Sequence, residues 1–167
     1  MTRPEISGNG DGPESTGADA TTAQGTAAAG APVAVVDEFL TALAARDSAA
    51  ALRLVDEHIV YTNVGLATLR GADRMRRVTE LLSRPGVGFG VRTITAAADG
   101  PTVLTERVDE IALGPLRMRF WVCGKFVVDG GRITLWRDYF DFLDCTKAFL
   151  RALAGVLSPS LNRSMPS

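Results

Sequence analysis

Residues 101–142 read PTVLTERVDEIALGPLRMRFWVCGKFVVDGGRITLWRDYFDF. The stretch divides into three β-like runs, 101 to 113, 115 to 128 and 131 to 142, and a fourth run, 87 to 97, precedes them. The separators are turn formers: Asp99-Gly100-Pro101, Gly114-Pro115 and Asp129-Gly130-Gly131. Connections that short leave no room for a crossover, so the four runs are expected to pair as antiparallel hairpins. Between Leu116 and Val128 the side chains alternate. Leu116, Met118, Phe120, Val122, Phe126 and Val128 fall on one face, and Arg117, Arg119, Trp121 and Lys125 on the other.

Upstream, the pattern is helical. Val33, Val36, Phe39, Leu40 and Leu43 recur at three- and four-residue spacing, which predicts an amphipathic helix over 33–45. Asp47 and Ser48 offer an N-cap for a second, short helix ending near Asp56. His58 to Asn63 is rich in β-branched and aromatic residues and reads as a strand. A third helix is expected from Gly71 to Arg84, closed by Pro85-Gly86, and its Arg74, Arg76 and Arg77 read as a solvated face. A final helix runs from Leu143 to Leu157, with Thr146, Phe149, Leu150 and Leu153 expected to point inward. Helices first and a meander of long strands afterwards predict an α+β domain, a curved mixed or antiparallel sheet closed by helices on one face.

Residues 1–32 contain only Met1 and Ile6 as large apolar side chains, too few to offset the entropy of ordering, so a disordered tail is expected there. Residues 158–167 thin out into Ser, Pro and Asn and read as a flexible tail, leaving 33–157 as the working domain. Of the 167 residues, 46% are apolar and 22% charged, with a formal net charge of −1. That balance suits a soluble globular protein and gives no electrostatic footprint for nucleic acid or a polybasic membrane surface. No run approaches eighteen apolar residues, so no membrane span is expected. The first thirty residues lack the apolar core of a secretory signal, which points to the cytoplasm. Cys123 and Cys145 form no C-x-x-C or Cys/His spacing, so neither a metal nor another cofactor is expected.

Pleat parity puts charged groups where apolar ones would be ordinary. Arg107 and Asp109 share a face with Val103, Thr105 and Ile111. Asp138 shares one with Trp136 and Phe140, and Tyr61 and Asn63 share one with Ile59. Each alone fits a sheet with one wet face. If the sheet curls, however, its concave side collects two carboxylates, one guanidinium, a phenol and an amide in an apolar cavity. Charges so placed are costly unless paired, and such cavities are usually functional.

The segments Tyr61-Thr62-Asn63, Thr105-Glu106-Arg107-Val108-Asp109 and Trp136-Arg137-Asp138-Tyr139-Phe140-Asp141 resemble the limonene-1,2-epoxide hydrolase family in order and approximate spacing. The resemblance extends from the first helix to the last. It implies a cone-like half-barrel of the nuclear-transport-factor-2-like type (also termed SnoaL-like or cystatin-like), a homodimer, and a role in removing lipophilic epoxides. It gives Asp138 the part of general base towards a water held by Tyr61 and Asn63. Asp109 becomes the general acid on the epoxide oxygen, and Arg107 lies between the two carboxyls. The substrate pocket is expected to include Leu116, Met118, Phe120, Val122, Trp136 and Phe140, which suits a terpene, fatty-acid or sterol oxide.

Two other classes share this fold. A ketosteroid-isomerase-like or polyketide-cyclase-like enzyme would use Asp138 to remove a proton alpha to a carbonyl, but a guanidinium beside Asp109 favours the ionised acid over an oxyanion donor. A hydrophobic-ligand carrier would bind without turnover. A covalent epoxide mechanism would need a histidine to activate water, and the single histidine, His58, is out of phase with Tyr61 and reads as a rim residue. By the same parity Asp141 is expected to cap the last helix, and Trp121, with Arg117 and Arg119, to face outward as a candidate subunit contact.

Overall fold

The computed structural model describes residues 18–157, with side chains from Ala31 onward. Of the expected tails, residues 1–17 and the whole of 158–167 lie outside the described residues. The first helix, α1 (Ala18–Ala44), starts ahead of Val33, through an alanine-rich stretch of high helix propensity, and carries Pro32 within it. Its apolar stripe behaves as the spacing predicts: Val36, Phe39, Leu40 and Leu43 are all buried. Arg46 takes a left-handed turn at φ 61°. The Asp47 carboxylate then accepts the amide of Ala50 at 2.8 Å and starts α2 (Ser48–Arg53). This helix stops short of Asp56 because Val55 already pairs with Ile133, as the first residue of β1 (Val55–Asn63).

A two-residue strand, β2 (Leu69–Arg70), folds back on β1 and escapes any periodicity test by its length. Gly71, at φ 87°, makes the left-handed entry to α3 (Ala72–Leu82) that a side chain would resist. The meander follows as β3 (Val87–Asp99), β4 (Thr102–Leu113), β5 (Leu116–Asp129) and β6 (Arg132–Tyr139), turning where the Gly and Pro signals stand. The six strands form one sheet in the order β2-β1-β6-β5-β4-β3, with β1 and β6 parallel and every other pair antiparallel. A mixed, helix-closed α+β sheet is therefore what the chain makes. Register shifts at Thr93/Thr95, Val55/Val60 and Val127/Val128 interrupt the ladders, and such irregularities bend strands. The core lies between one sheet face and the helices: Phe39, Leu40, Ile59, Val103, Phe126, Ile133 and Trp136 are buried there.

The last element, α4 (Phe142–Leu157), corrects one expectation. Asp141 does cap it, its carboxylate accepting the Leu143 amide at 2.7 Å. But the side that packs against β5 is Ala148 and Ala152, both buried, while Thr146, Phe149, Leu150 and Leu153 are exposed, Leu150 at 59%. Small residues let the helix approach the strand closely, and that choice turns the larger apolar side chains outward.

Candidate active site

Four strands supply the site. Tyr61 and Asn63 lie at the end of β1, opposite Trp136 and Asp138 on the parallel strand β6. Thr105, Arg107 and Asp109 lie on the inner face of β4, paired across to Gly124, Val122 and Phe120 on β5. Gly124 is in turn opposite Asp138. Parity thus brings to one place the five polar residues picked out from the sequence.

Arg107 is fully buried and is the largest such side chain in the described residues; Asp109 and Asp138 are each only 4% exposed. The guanidinium grips Asp109 with two bonds, Nε to Oδ1 at 2.9 Å and Nη2 to Oδ2 at 3.2 Å. The same Nη2 reaches Asp138 Oδ2 at 2.7 Å. Nη1 donates to Thr105 Oγ1 at 3.1 Å, and the guanidinium carbon stands 5.7 Å from the centre of the Phe126 ring. Asp138 receives one further bond, from the Trp136 indole N–H to Oδ1 at 2.7 Å. One cation therefore bridges two carboxylates on strands that are not neighbours in the sheet.

Burial is the leading influence on every ionisable group here. It pushes the Asp109 carboxyl up to about 6, against the pull of Arg107 in the other direction. It also raises Asp138, opposed by Arg107 and by the Trp136 hydrogen bond. Burial works against the charge on Arg107, but the two carboxylates outweigh it and hold the guanidinium protonated. With both carboxyls ionised the buried cluster would carry a net negative charge; with one proton on the pair it is neutral. Two coupled acids beside one fixed cation are suited to holding a single proton between them.

The Tyr61 hydroxyl accepts a hydrogen bond from Asn63 Nδ2 at 2.8 Å. Burial, and then the Asp138 charge, push this phenol well above its usual range, so it stays neutral and able to donate. Its ring lies 4.3 Å from that of Trp136, which also meets Phe39 edge-on at 5.2 Å. Among the expected pocket residues, Trp136 and Val122 are buried, Trp136 bonded to Asp138 and Val122 opposite Arg107. Leu116, Met118, Phe120 and Phe140 are half-buried, with the Phe120 and Phe140 rings 5.8 Å apart. His58 is exposed beside Glu57, and Cys123 and Cys145 are free thiols, Cys123 on the outer face. Sequence reasoning gave no role to two contributors: Thr105, which holds Nη1, and Gly124, which lies directly under the guanidinium. A signal for Gly124 is present, as the one gap in the apolar alternation from Leu116 to Val128.

The limonene-1,2-epoxide hydrolase catalytic domain matches residues 30–151. Epoxide hydrolase EphG of Mycobacterium tuberculosis is 47% identical over 132 residues, which cover 78% of this chain and 87% of that protein. The chain belongs to the limonene-1,2-epoxide hydrolase family. A solved structure of an epoxide hydrolase like those of the limonene-1,2-epoxide hydrolase family, also from M. tuberculosis, superposes with a TM-score of 0.79 at 42% identity, over 82% of this chain and 97% of that one. The fold extends beyond the family. A nuclear-transport-factor-2-like protein from Burkholderia xenovorans LB400 matches with a TM-score of 0.58 at 19% identity, over 72% of this chain and 97% of its own. The span matched by the limonene-1,2-epoxide hydrolase domain contains Tyr61, Asn63, Arg107, Asp109 and Asp138.

Proposed function

We propose that this chain is an epoxide hydrolase that adds water to a lipophilic epoxide in one step, giving a vicinal diol without a covalent intermediate. The observation that carries the reading is the buried guanidinium of Arg107 bonded at once to Asp109 and Asp138. An epoxide opens slowly at neutral pH because water is a weak nucleophile and the leaving alkoxide is basic. A positioned base and a positioned acid typically contribute on the order of 10² to 10⁴ each.

The roles are those the family resemblance gives, and the partners of each carboxyl accommodate them. Asp138 takes N–H donors from two residues, Trp136 and Arg107, and both favour its ionised form. Asp109 takes both of its N–H donors from Arg107, and the family resemblance gives it the part of the acid that carries the shared proton. Asp138 removes a proton from a water held by the Tyr61 hydroxyl and Asn63 as the water oxygen bonds to an epoxide carbon. The C–O bond on the other side breaks, and Asp109 delivers its proton to the departing oxygen. One carboxyl gains a proton as the other gives one up, so the cluster's charge stays constant beside the fixed cation of Arg107, and the proton now on Asp138 then returns to Asp109. Water and epoxide become diol with nothing left over. His58 is exposed at the start of the strand, so no histidine stands ready for the second step of a covalent route.

Leu116, Met118, Phe120 and Phe140 give the approach an apolar lining that suits terpene, fatty-acid or sterol oxides. A second copy of the chain fits the outer sheet face, where Trp121 is 54% exposed and Leu104 and Tyr139 are also uncovered. No helix among the described residues is long and apolar enough to cross a membrane, and a cytoplasmic setting is the reading consistent with two free thiols. Diol detection across a panel of such epoxides tests the activity. Asp138→Asn and Asp109→Asn should each remove nearly all diol formation while the fold persists, and full activity in both would overturn the assignment. Exchange of alpha protons in a ketone, without loss of any epoxide, would favour an isomerase instead.

A further inference from the structure

We infer that Gly124 and Thr105 are positioning residues for this reaction, routing the Arg107 guanidinium across β5 so that one cation serves carboxyls on two strands that do not pair. The inference rests on the hydrolase roles given above. Arg107 is on β4 and Asp138 on β6, with β5 between them. Two strand spacings across the sheet, with an offset of two residues along it, put their backbones roughly 12 Å apart. The Arg107 side chain can close that gap only by lying flat on the middle strand.

It does so at Gly124, the residue opposite both Thr105 and Asp138. A Cβ at Gly124 would overlap Arg107 Nη1 outright and would stand 2.7 Å from Thr105 Oγ1 and 2.9 Å from Phe126 Cε2. The backbone at Gly124 does not take a left-handed φ, so no turn or bulge demands glycine there. What demands it is the space above it, taken first by the guanidinium and less tightly by Thr105 Oγ1 and Phe126 Cε2. Thr105 then fixes the far end of the fork. Its hydroxyl accepts from Nη1 at 3.1 Å, which sets the rotation of the guanidinium and aims Nε and Nη2 at the two aspartates. Thr105 is itself buried, so water does not readily replace the lost acceptor.

The test uses the full-length protein with Thr105→Val, which keeps the shape and removes the oxygen, and Thr105→Ser, which restores the oxygen. Two quantities are read: the pH titration of the aspartate carboxyls by carbon-13 NMR in the free protein, and kcat and KM on whichever epoxide the parent hydrolyses best. The expected result for Thr105→Val is an upward move of the Asp109/Asp138 titration, because a loosened guanidinium favours the ionised pair less. It comes with a fall in kcat of about tenfold and a KM within about twofold. Thr105→Ser should return both towards the parent. Gly124→Ala should lower kcat by at least about tenfold. In an Arg107→Lys background, which has no Nη1 to displace, the same change should move the carboxyl titration and melting temperature clearly less than in the parent, since only the contacts with Thr105 and Phe126 remain.

The inference is overturned if Thr105→Val leaves titration and kcat at parent values, or if Thr105→Ser is as impaired as Thr105→Val. It is also overturned if Gly124→Ala perturbs the Arg107→Lys background as much as the parent. Should the parent open no epoxide while the titration still moves in Thr105→Val and not in Thr105→Ser, the routing stands and the hydrolase reading falls. An active parent with an unmoved titration does the reverse: the hydrolase reading stands and the routing falls.

Discussion

Trp136→Phe probes Asp138, the proposed base, while sparing the packing around it. The phenyl ring retains much of the contact that the indole makes with Tyr61, Phe39 and Phe126. What it removes is the 2.7 Å hydrogen bond from Nε1 to Asp138 Oδ1. Donor and acceptor are 3% and 4% exposed, so solvent does not freely take the vacated place. A buried hydrogen bond to a charged group contributes about 1.5–3 kcal/mol, equivalent to a displacement of about 1–2 in the pKa of the acceptor. This bond holds the Asp138 carboxyl down, so its loss moves that carboxyl up. The sign for activity follows. As the proposed base Asp138 has to be ionised to accept a proton from water, so the acid limb of kcat/KM should shift to higher pH by about 1–2. At a pH below the limb, the rate constant should fall about 10- to 100-fold. The assay is kcat/KM for diol formation from pH 4 to 9 in parent and variant, with a melting curve at each pH. An acid limb that stays in place, with kcat/KM within about twofold of the parent, would refute the assignment of Asp138 as a base tuned by Trp136.

Arg107→Met leaves two buried carboxylates without their cation and should cost about 3–5 kcal/mol at pH 8. The loss should shrink near pH 5, where the carboxyls take up protons; denaturant unfolding at both pH values checks it, and a pH-independent loss would contradict it. Asp109 is raised to about 6 in the fold from an ordinary 3.8, so its contribution is full below the ordinary value and lost as pH rises through about 6. The stability of the parent relative to Asp109→Asn should therefore fall by up to about 3 kcal/mol between pH 4 and 7 and level off above, as read by urea unfolding across that range. On α4, Ala152→Leu should destabilise by about 1–3 kcal/mol, since it forces a buried small site apart. Leu150→Ala, on the exposed side, should stay within about 0.5 kcal/mol, and thermal melts that reverse this order would return the helix to the orientation its sequence suggested.

Much of the fold is written in local signals. The separators at Gly100, Gly114 and Gly130 mark the hairpins because each turn needs a left-handed residue there, and all three have positive φ. Strand parity then assembles the inner set, since a side chain two residues from Arg107 must share its face. The parallel pairing of β1 with β6 is not legible in this way, because it depends on a contact between the two ends of the domain. The phase of α4 is hidden for a different reason. Apolar residues occupy a wide arc of that helix, and hydrophobicity alone favours the large ones, whereas close packing on β5 selects Ala148 and Ala152. Gly124 is hardest of all: a missing side chain has no chemistry to notice until the crossing Arg107 is seen above it. Trp136 is legible as an aromatic near the site, but its N–H to Asp138 is a matter of rotamer.

In the proposed reaction water attacks the epoxide directly, with Asp138 as its base. A single turnover with enzyme in excess, in oxygen-18 water, tests it. Direct attack puts one labelled oxygen in the diol and none in the protein. An unlabelled diol, with oxygen-18 recovered in an aspartate side chain, would contradict it.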